Sequence, residues 1–469
     1  MTTAPAGDGG LHRGLTSRQV TMIALGGAIG TGLFLGSDLA ISKAGPSVVL
    51  AYVACGLIAL VISFALAEMV VVHPDAGSFG AIAHRYLGPW AGFVIRWTYW
   101  AIQAIAVGGE MVAAGIYVQV WWPQLPLWLP VVAFSALMLG VNAITVRLFG
   151  EIEYWFSMIK VTAISVFVLV GLAYIVFGLP GHAATGTHNL TAHGGFLPHG
   201  VSGLGLAFVF VIFSFIGTEV VAVTAAEAKD PVRDIPRAAR RMVLRLALFY
   251  VAAMAVVVTI VPWDRITGGD DVSSSPFVRL FDIAGLPAAA GIMNFVVLTA
   301  ALSSANANIY LTARMLHSLG LHGMAPRRLG RVSGSGVPRL ALAVSTIGLA
   351  IATVLSAVSA DTAYVILFGV SVFGALIVWI MILATHAAFR RRRQADGLPP
   401  SPVRLWAAPV TVPVTALALA AILISTAFID GLTTAWKAGI PFLLLLTAAY
   451  LLTTRRRSTA PTKEPTPHP

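Results

Sequence analysis

The amino-acid sequence predicts an all-α protein that crosses a membrane several times. Hydrophobic residues make up 58% of the 469 positions and charged residues only 10%, whereas water-soluble domains are about one quarter charged. Apolar stretches of about twenty residues or more recur along the chain, and each can cross a hydrocarbon core of about 30 Å as a helix. A transmembrane β-barrel would instead show short segments of alternating hydrophobicity.

Twelve apolar segments can be distinguished between the polar loops. They cover residues 19–42, 47–72, 89–121, 126–146, 155–178, 201–225, 240–262, 285–317, 338–357, 361–389, 404–429 and 436–453. We therefore predict four regions along the chain. They are an N-terminal tail over 1–18, a transport core over 19–389 (two halves of about 19–178 and 201–389), two additional helices with their preceding loop over 390–453, and a C-terminal tail over 454–469.

The distribution of basic residues predicts that both termini lie in the cytoplasm. Of the 30 lysines and arginines, 24 fall in the tails and loops on one side of the predicted membrane and 4 on the other. Cytoplasmic loops carry the excess of such residues, which also explains the basic pI without nucleic-acid binding. Arginine outnumbers lysine and alanine is abundant, which is typical of a GC-rich bacterial genome and indicates a bacterial cytoplasmic (inner) membrane.

Two of the apolar segments are interrupted by glycine. Segment one reads Gly26-Gly27-Ala28-Ile29-Gly30-Thr31-Gly32, and segment six reads Phe213-Ser214-Phe215-Ile216-Gly217-Thr218-Glu219. An unwound stretch leaves backbone groups unpaired, which lipid tolerates only where the backbone lines a cavity or binds something. Broken helices at corresponding positions of two halves predict a substrate site near the membrane midplane. For either cluster alone, the alternative is close packing of helices through small residues.

The chemistry of such breaks indicates the kind of ligand. Free amides at the start of a half-helix favour a carboxylate, and free carbonyls at the end of a half-helix favour an ammonium group or a cation. A site that offers both fits a zwitterion, and hence an amino acid.

Ionisable residues within the segments are costly in lipid and are therefore functional candidates. Three stand out: Glu110 in segment three, Lys160 in segment five and Glu219 at the break of segment six. Each could contact the substrate, carry a proton or serve as a buried structural partner. Glu68, near the end of segment two, is interpreted as a structural residue or part of a gate.

Several motifs, taken in order, resemble one family over nearly the whole chain. They are Ile23–Gly36, Glu68 with Pro74–Phe79, Phe149–Val161, Phe213–Glu219, Ala226–Pro236 and Ser303–Met315. The chain resembles the amino acid transporter family of bacterial permeases within the amino acid–polyamine–organocation superfamily. Segments six to eight, with Ser275–Val278 and Met293–Phe295, are most similar to γ-aminobutyrate (GABA) permeases.

The resemblance implies a fold and an activity. Such permeases have five-plus-five inverted repeats with broken helices 1 and 6, followed by two additional helices, and they generally take up amino acids with protons. Carried over by position, the amides of Thr31 and Gly32 receive the substrate carboxylate. Carbonyls near Ala28, Ser214 and Ile216 receive the amino group.

The same resemblance implies further roles. Phe213 takes the position of an aromatic gate, Glu219 that of a proton-sensing glutamate, and Lys160 that of a lysine whose ammonium replaces a sodium ion. The predicted substrate site is completed by Gly30, Glu110, Gly217, Ser303 and Ser304. Asn306 and Asn308 either make the pocket polar or hydrogen-bond between helices.

The function expected from these observations is proton-coupled import of an amino acid, with GABA favoured, by alternating access. An amino acid/amine exchanger on the same fold is the alternative. An intramembrane enzyme is disfavoured because the sequence has no HExxH motif, no GxSxG motif and no intramembrane aspartate pair. We expect the amino acid, protons and the lipid bilayer as partners, and neither a cofactor, a metal, a nucleic acid nor an obligatory protein partner.

Overall fold

The protein is helical throughout the part of the chain that the structure describes. The structure, a computed structural model, describes residues 29–73, 79–144, 146–178, 183–219, 231–266, 275–283, 285–333 and 337–458. Within these ranges there are α-helices and short 3-10 turns and no β-strand. The predicted helical class is thereby confirmed for the described residues.

The helices follow one another closely along the chain. In the first half they are α1 (Thr31–Phe34), α2 (Gly36–Ala44), α3 (Val48–Val72), α4 (Phe79–Leu87), α5 (Pro89–Gln119), α6 (Trp128–Ile144) and α7 (Val146–Phe177). In the second half they are α8 (Gly200–Phe213), α9 (Pro231–Ile260), α10 (Trp263–Ile266), α11 (Pro276–Ile283), α12 (Pro287–Leu321), α13 (Arg339–Ser345), α14 (Ile347–Val358) and α15 (Ala360–Ala395). The last two are α16 (Ala408–Ser425) and α17 (Thr433–Ser458).

Eight stretches of the described chain are long and apolar enough to cross a membrane. One of them, Thr31–Val72, joins two predicted segments through the 3-10 turn Gly45–Ser47. Three shorter apolar stretches lie in α6, α8 and α9, and they are Trp128–Ala143, Gly200–Phe213 and Leu246–Ile260. A helix of 14 residues such as α8 is only about 21 Å long, less than the hydrocarbon thickness. The eight long apolar stretches make this a multi-pass membrane protein. Because helices such as α8 are shorter than the membrane core, the count of twelve spans stays a prediction.

Two helices form the interior of the bundle. In α5 and α12, 89% and 72% of the most apolar window is buried within the protein, against 22% in α7 and 17% in α17. α5 packs against α12, α14 and α15, while α3 packs against α9 and α2 packs against α8. α5 and α12 thus supply interior side chains, and α7 and α17 expose most of their apolar surface to the surroundings of the protein.

Some helices extend beyond the predicted apolar segments. Segment five was predicted to begin at residue 155 and segment seven at residue 240, but α7 begins at Val146 and α9 at Pro231. The added turns contain charged residues such as Glu153 and Arg237. A hydropathy pattern detects only the apolar part of a helix, so these polar turns were missed.

A buried carboxylate joins the end of α3 to α15. Glu68 accepts hydrogen bonds from Arg390 Nη2 at 2.7 Å, from His386 Nε2 at 3.0 Å and from the Leu405 amide at 2.8 Å. Removing one partner of a buried ion pair leaves the other uncompensated and is costly. Glu68 is therefore a structural residue in this conformation, in line with the first of its two predicted roles.

The close approach of α14 to α5 depends on Gly348. A Cβ atom added at Gly348 would overlap the main-chain carbonyl oxygen of Ala104, and a backbone atom cannot turn aside as a side chain can. We expect Gly348→Ala to separate the two helices and to destabilise the protein by roughly 1–3 kcal/mol, as overpacking does. The measurement is the melting temperature of the purified protein in detergent.

Gly140→Ala is the matched control for this prediction. Gly140 also lies within a helix, α6, but a Cβ atom there would meet nothing within 4 Å. Its melting temperature should stay close to that of the unchanged protein. Equal melting temperatures for the two variants would show that α5 and α14 are not in close contact at this point.

Candidate substrate site

The helix of segment six is broken where the sequence predicted it. α8 ends at Phe213, residues 214–218 form turns, and helical geometry returns at Glu219. Within the break the Ile216 amide donates to the Phe213 carbonyl and the Thr218 amide donates to the Phe215 carbonyl. Gly217 has φ = +100°, a conformation that side-chain-bearing residues rarely adopt.

In segment one a helix begins at Thr31. Gly30 is extended, with φ −120° and ψ −157°, and Ile29 before it is also non-helical. Ala28, together with Gly26 and Gly27, lies outside the described residues. The described part thus has a helix start at the position where the carboxylate of a substrate was predicted.

The two predicted interruptions, which the described residues show as the start of α1 and as the break of segment six, lie side by side. A Cβ atom added at Gly32 would lie 2.9 Å from Cδ1 of Phe213 and 3.0 Å from Cα of Ser214. Beside them is a cavity with about 410 Å³ of empty space, including space open to solvent. It is lined by Gly30, Gly32, Gln103, Ala106, Glu110, Phe213, Ser214, Ile216, Gly217, Ser304 and Asn308. Most of the predicted substrate-site residues therefore surround one cavity.

Glu110 of α5 links three helices at this cavity. Its carboxylate accepts a hydrogen bond from Ser304 Oγ of α12 at 2.9 Å. It also accepts from the Thr31 amide of α1, with Oε2 at 3.3 Å and Oε1 at 3.4 Å. The side chain of Glu110 is buried. The Thr31 amide thus already donates its hydrogen bond to a carboxylate of the protein itself.

Lys160 of α7 reaches the main chain just before α1. Its Nζ donates to the carbonyl of Ile29 at 3.1 Å, and its side chain is fully buried. The ammonium group thus lies against the backbone of the first interruption. A change in its charge would act directly on that backbone.

Glu219 turns back onto the break of segment six. Its Oε2 accepts a hydrogen bond from the Gly217 amide at 2.9 Å and from Trp379 Nε1 at 3.3 Å. Its Oε1 accepts from the hydroxyl of Tyr99, on α5, at 2.8 Å. The carboxylate therefore connects the second interruption to α5 and α15.

Phe213 lies at the end of α8, between the cavity and α15. Its ring packs on Phe368 of α15 with centroids 4.5 Å apart, and the residue is partly exposed. An aromatic side chain that is partly free and lines a cavity can cover a bound ligand. This position is compatible with the predicted aromatic gate.

Ser303 is not among the residues that line the cavity. Its hydroxyl donates to Glu153 Oε1 at 2.6 Å, whereas the neighbouring Ser304 faces Glu110. The two asparagines divide in the same way. Asn306 hydrogen-bonds Glu153 and Asn142 on other helices, and Asn308 lines the cavity. Each of the two interpretations of these asparagines therefore describes one residue.

Sequence reasoning missed Gln103, Ala106 and Glu153. Gln103 and Ala106 line the cavity with Glu110, and Gln103 and Glu110 are seven positions apart, so they lie on one helix face. That spacing was a usable signal. Glu153 is fully buried, whereas the hydropathy pattern predicts that segment five begins after it, at residue 155.

The chain belongs to the amino acid permease family. The model of that family, described as "Amino acid permease", matches residues 19–459. Members of this family are transporters of amino acids rather than enzymes, in agreement with the sequence-based expectation. The family assignment also agrees with the multi-pass helical architecture.

Curated relatives share about the same identity with the chain but carry different names. A γ-aminobutyric acid permease of Bacillus subtilis (strain 168) is 40% identical over 90% of this chain and 89% of its own length. A probable threonine/serine transporter, YbxG, of the same organism is 40% identical over 94% of both chains. The aromatic amino acid transport protein AroP of Escherichia coli O6:H1 is 40% identical over 83% of this chain and 84% of its own.

The break of segment six should depend on the backbone conformation of Gly217. A Cβ atom at Gly217 would meet nothing within 4 Å, so Gly217→Ala adds strain through φ alone. We expect a loss of roughly 1–2 kcal/mol of stability, which is the cost of a left-handed conformation, and slower amino acid uptake. The measurements are the melting temperature in detergent and initial uptake rates in proteoliposomes.

Gly205→Ala provides the control, because Gly205 lies in α8 and an added Cβ there also meets nothing within 4 Å. Alanine at that helical position should leave stability unchanged or slightly raise it. If Gly217→Ala were as stable and as active as Gly205→Ala, the break would not require this conformation.

Proposed function

We propose that this protein imports an amino acid across the cytoplasmic membrane of a bacterium together with protons, by alternating access around its two broken helices. The observation that carries the proposal is the adjacency of the two interruptions at one cavity, which Gly32 and Ser214 demonstrate by their contact. The substrate carboxylate binds the amides of Thr31 and Gly32. Its amino group binds carbonyls near Ala28, Ser214 and Ile216, and Phe213 closes over it.

The proposed topology has twelve spans, arranged as five-plus-five inverted repeats and two additional helices, with both termini in the cytoplasm. Each of the twelve predicted segments overlaps at least one helix among α1 to α17, which supports this count. The charge distribution in the loops supports the orientation.

Lys160 and Glu219 are the proposed proton-coupling residues. Both are buried, and each hydrogen-bonds the main chain of one interruption, Lys160 at Ile29 and Glu219 at Gly217. Gain or loss of a proton at either residue changes a hydrogen bond that holds the broken backbone. Proton and substrate together then favour closure of the outer gate, and a proton leaves when the substrate is released inside.

The proposed substrate is GABA or another small neutral amino acid. Among the described residues that line the cavity there is no lysine, arginine or histidine, so an acidic side chain would find no cationic partner there. Gln103 and Asn308 offer polar groups, and Ala106, Phe213 and Ile216 offer apolar surface. The similarity of segments six to eight to GABA permeases favours GABA.

Uptake into proteoliposomes tests this function. Liposomes without internal amino acid, with an alkaline interior and an acidic exterior, should accumulate labelled GABA above the external concentration. Labelled serine and phenylalanine, tested alongside, identify the substrate. Accumulation should cease when an ionophore removes the proton gradient. Uptake that strictly requires internal amino acid would instead establish the exchanger.

Lys160→Ala and Glu219→Gln should abolish the response to the proton gradient. Lys160→Ala removes a buried hydrogen bond that involves a charged group, a loss of roughly 1.5–3 kcal/mol. Glu219→Gln keeps a hydrogen-bond acceptor but cannot gain or lose a proton. In both variants gradient-driven uptake should fall about tenfold or more. Asp430→Asn is the control, because Asp430 is exposed at the start of the last helical region. Normal proton-driven uptake in both Lys160→Ala and Glu219→Gln would contradict this assignment.

A further inference from the structure

We infer that Glu110 is a tethered competitor of the substrate: the substrate carboxylate can bind the Thr31 amide only when Glu110 leaves that amide and takes up a proton. The inference rests on the proposed function, since it uses the carboxylate site at Thr31. It adds a proton-binding residue beyond Lys160 and Glu219 and gives a physical reason why substrate and proton bind together.

The first argument is geometric. Both carboxylate oxygens of Glu110 lie within 3.4 Å of the Thr31 amide nitrogen. A Cβ atom added at Gly30 would lie 2.6 Å from Glu110 Oε1, so the carboxylate lies directly against the backbone before α1. Glu110 also lines the cavity. A substrate carboxylate that approached the same amide would therefore meet the carboxylate of Glu110.

The second argument is electrostatic. Two carboxylates that share one buried site cannot both stay ionised, because like charges a few ångströms apart in a poorly solvated place repel strongly. Either the substrate is excluded or one carboxylate accepts a proton. A protonated Glu110 keeps Ser304 as a partner and can donate its own proton in a hydrogen bond to the substrate carboxylate.

The surroundings of Glu110 do not remove this conflict. Within the part of the chain that the structure describes, the titratable groups that interact with it are Lys160 of α7, Tyr117 of α5 and Tyr364 of α15. Lys160 is the cation among them, and its charge is shared with the second buried carboxylate, Glu153. One ammonium group therefore faces two carboxylates before any substrate carboxylate arrives.

Glu153 is placed differently from Glu110. Its oxygens accept hydrogen bonds from Ser303 at 2.6 Å, Asn306 at 3.3 Å and Ser157 at 3.4 Å. It does not appear among the described residues that line the cavity. A substrate bound at Thr31 would not contact it, so the competition concerns Glu110.

The inference fixes the sign of the pH dependence. The substrate-bound protein holds one proton more than the free protein, so substrate affinity must fall as pH rises through the range in which Glu110 ionises. A linkage of one proton changes the dissociation constant about tenfold per pH unit in that range. Binding must also withdraw protons from the buffer.

The test uses the purified full-length protein in detergent and the amino acid that is transported fastest among GABA, serine and phenylalanine. Calorimetry in buffers of different ionisation enthalpy gives the number of protons taken up per molecule bound. We expect the unchanged protein to take up about one proton more than Glu110→Gln, whatever Lys160 and Glu219 contribute to both. Glu110→Gln can still accept from Thr31 but cannot ionise, so its affinity should fall less steeply with pH than that of the unchanged protein. Glu153→Gln should retain the proton uptake of the unchanged protein.

Other outcomes overturn the inference. Proton uptake that is undiminished in Glu110→Gln, or that is diminished only in Glu153→Gln, would assign the proton elsewhere. Glu110→Asp keeps an ionisable carboxylate in this site and should therefore retain proton uptake on binding. If folded Glu110→Gln and Glu110→Asp both failed to bind, Glu110 would be a direct ligand of the substrate and not its competitor. Absence of any transport by the unchanged protein would contradict the proposed function itself.

Discussion

The structure depends on how the protein satisfies main-chain groups that are freed by broken helices inside a membrane. Three ionisable side chains fulfil this task. Lys160 donates to the Ile29 carbonyl, Glu110 accepts from the Thr31 amide, and Glu219 accepts from the Gly217 amide. Lipid offers no partner to an open backbone group, and a lone charge in the membrane is costly as well. Each of these two costs is reduced by pairing the charge with the backbone group.

This pairing makes the charge state of the interior and the shape of the interior interdependent. Helix α5 carries Glu110 and also Tyr99, which donates a hydrogen bond to Glu219. This helix is closely packed, because Gly348 lets α14 approach it at Ala104. The start of α1 is enclosed by the protein, since Ile29, Thr31 and Phe34 are each 1% exposed. A change of charge at Lys160, Glu110 or Glu219 would alter a hydrogen bond to the backbone. The proposed coupling between proton and conformation uses this link.

The sequence was sufficient for the helical, multi-pass class and for the break between Phe213 and Glu219, because both follow from local composition. It was not sufficient for the partners of the buried charges. Thr31 and Glu110 are 79 positions apart in the sequence, and Ser304 and Glu110 are 194 positions apart. Because these contacts join distant parts of the chain, no local sequence pattern predicts them. Glu153 was missed for a related reason: hydropathy marks the apolar part of a helix, whereas its polar end turn is recognised only when the helix is packed. The family resemblance supplied roles for Lys160 and Glu219 that the residues alone left open.

The division between backbone and side-chain contacts also explains how one fold can serve several amino acids. Every amino acid has a carboxylate and an amino group, and in the proposed binding mode main-chain groups around Thr31 and Ser214 receive them whatever the side chains of the protein are. Under that proposal, relatives equally similar to this chain can differ in the substrate for which they are named. Discrimination would then depend on side chains that face the rest of the cavity, such as Gln103, Ala106 and Asn308. These residues lie on α5 and α12, the most buried of the candidate spans, which also carry Glu110 and Ser304 beside the start of α1.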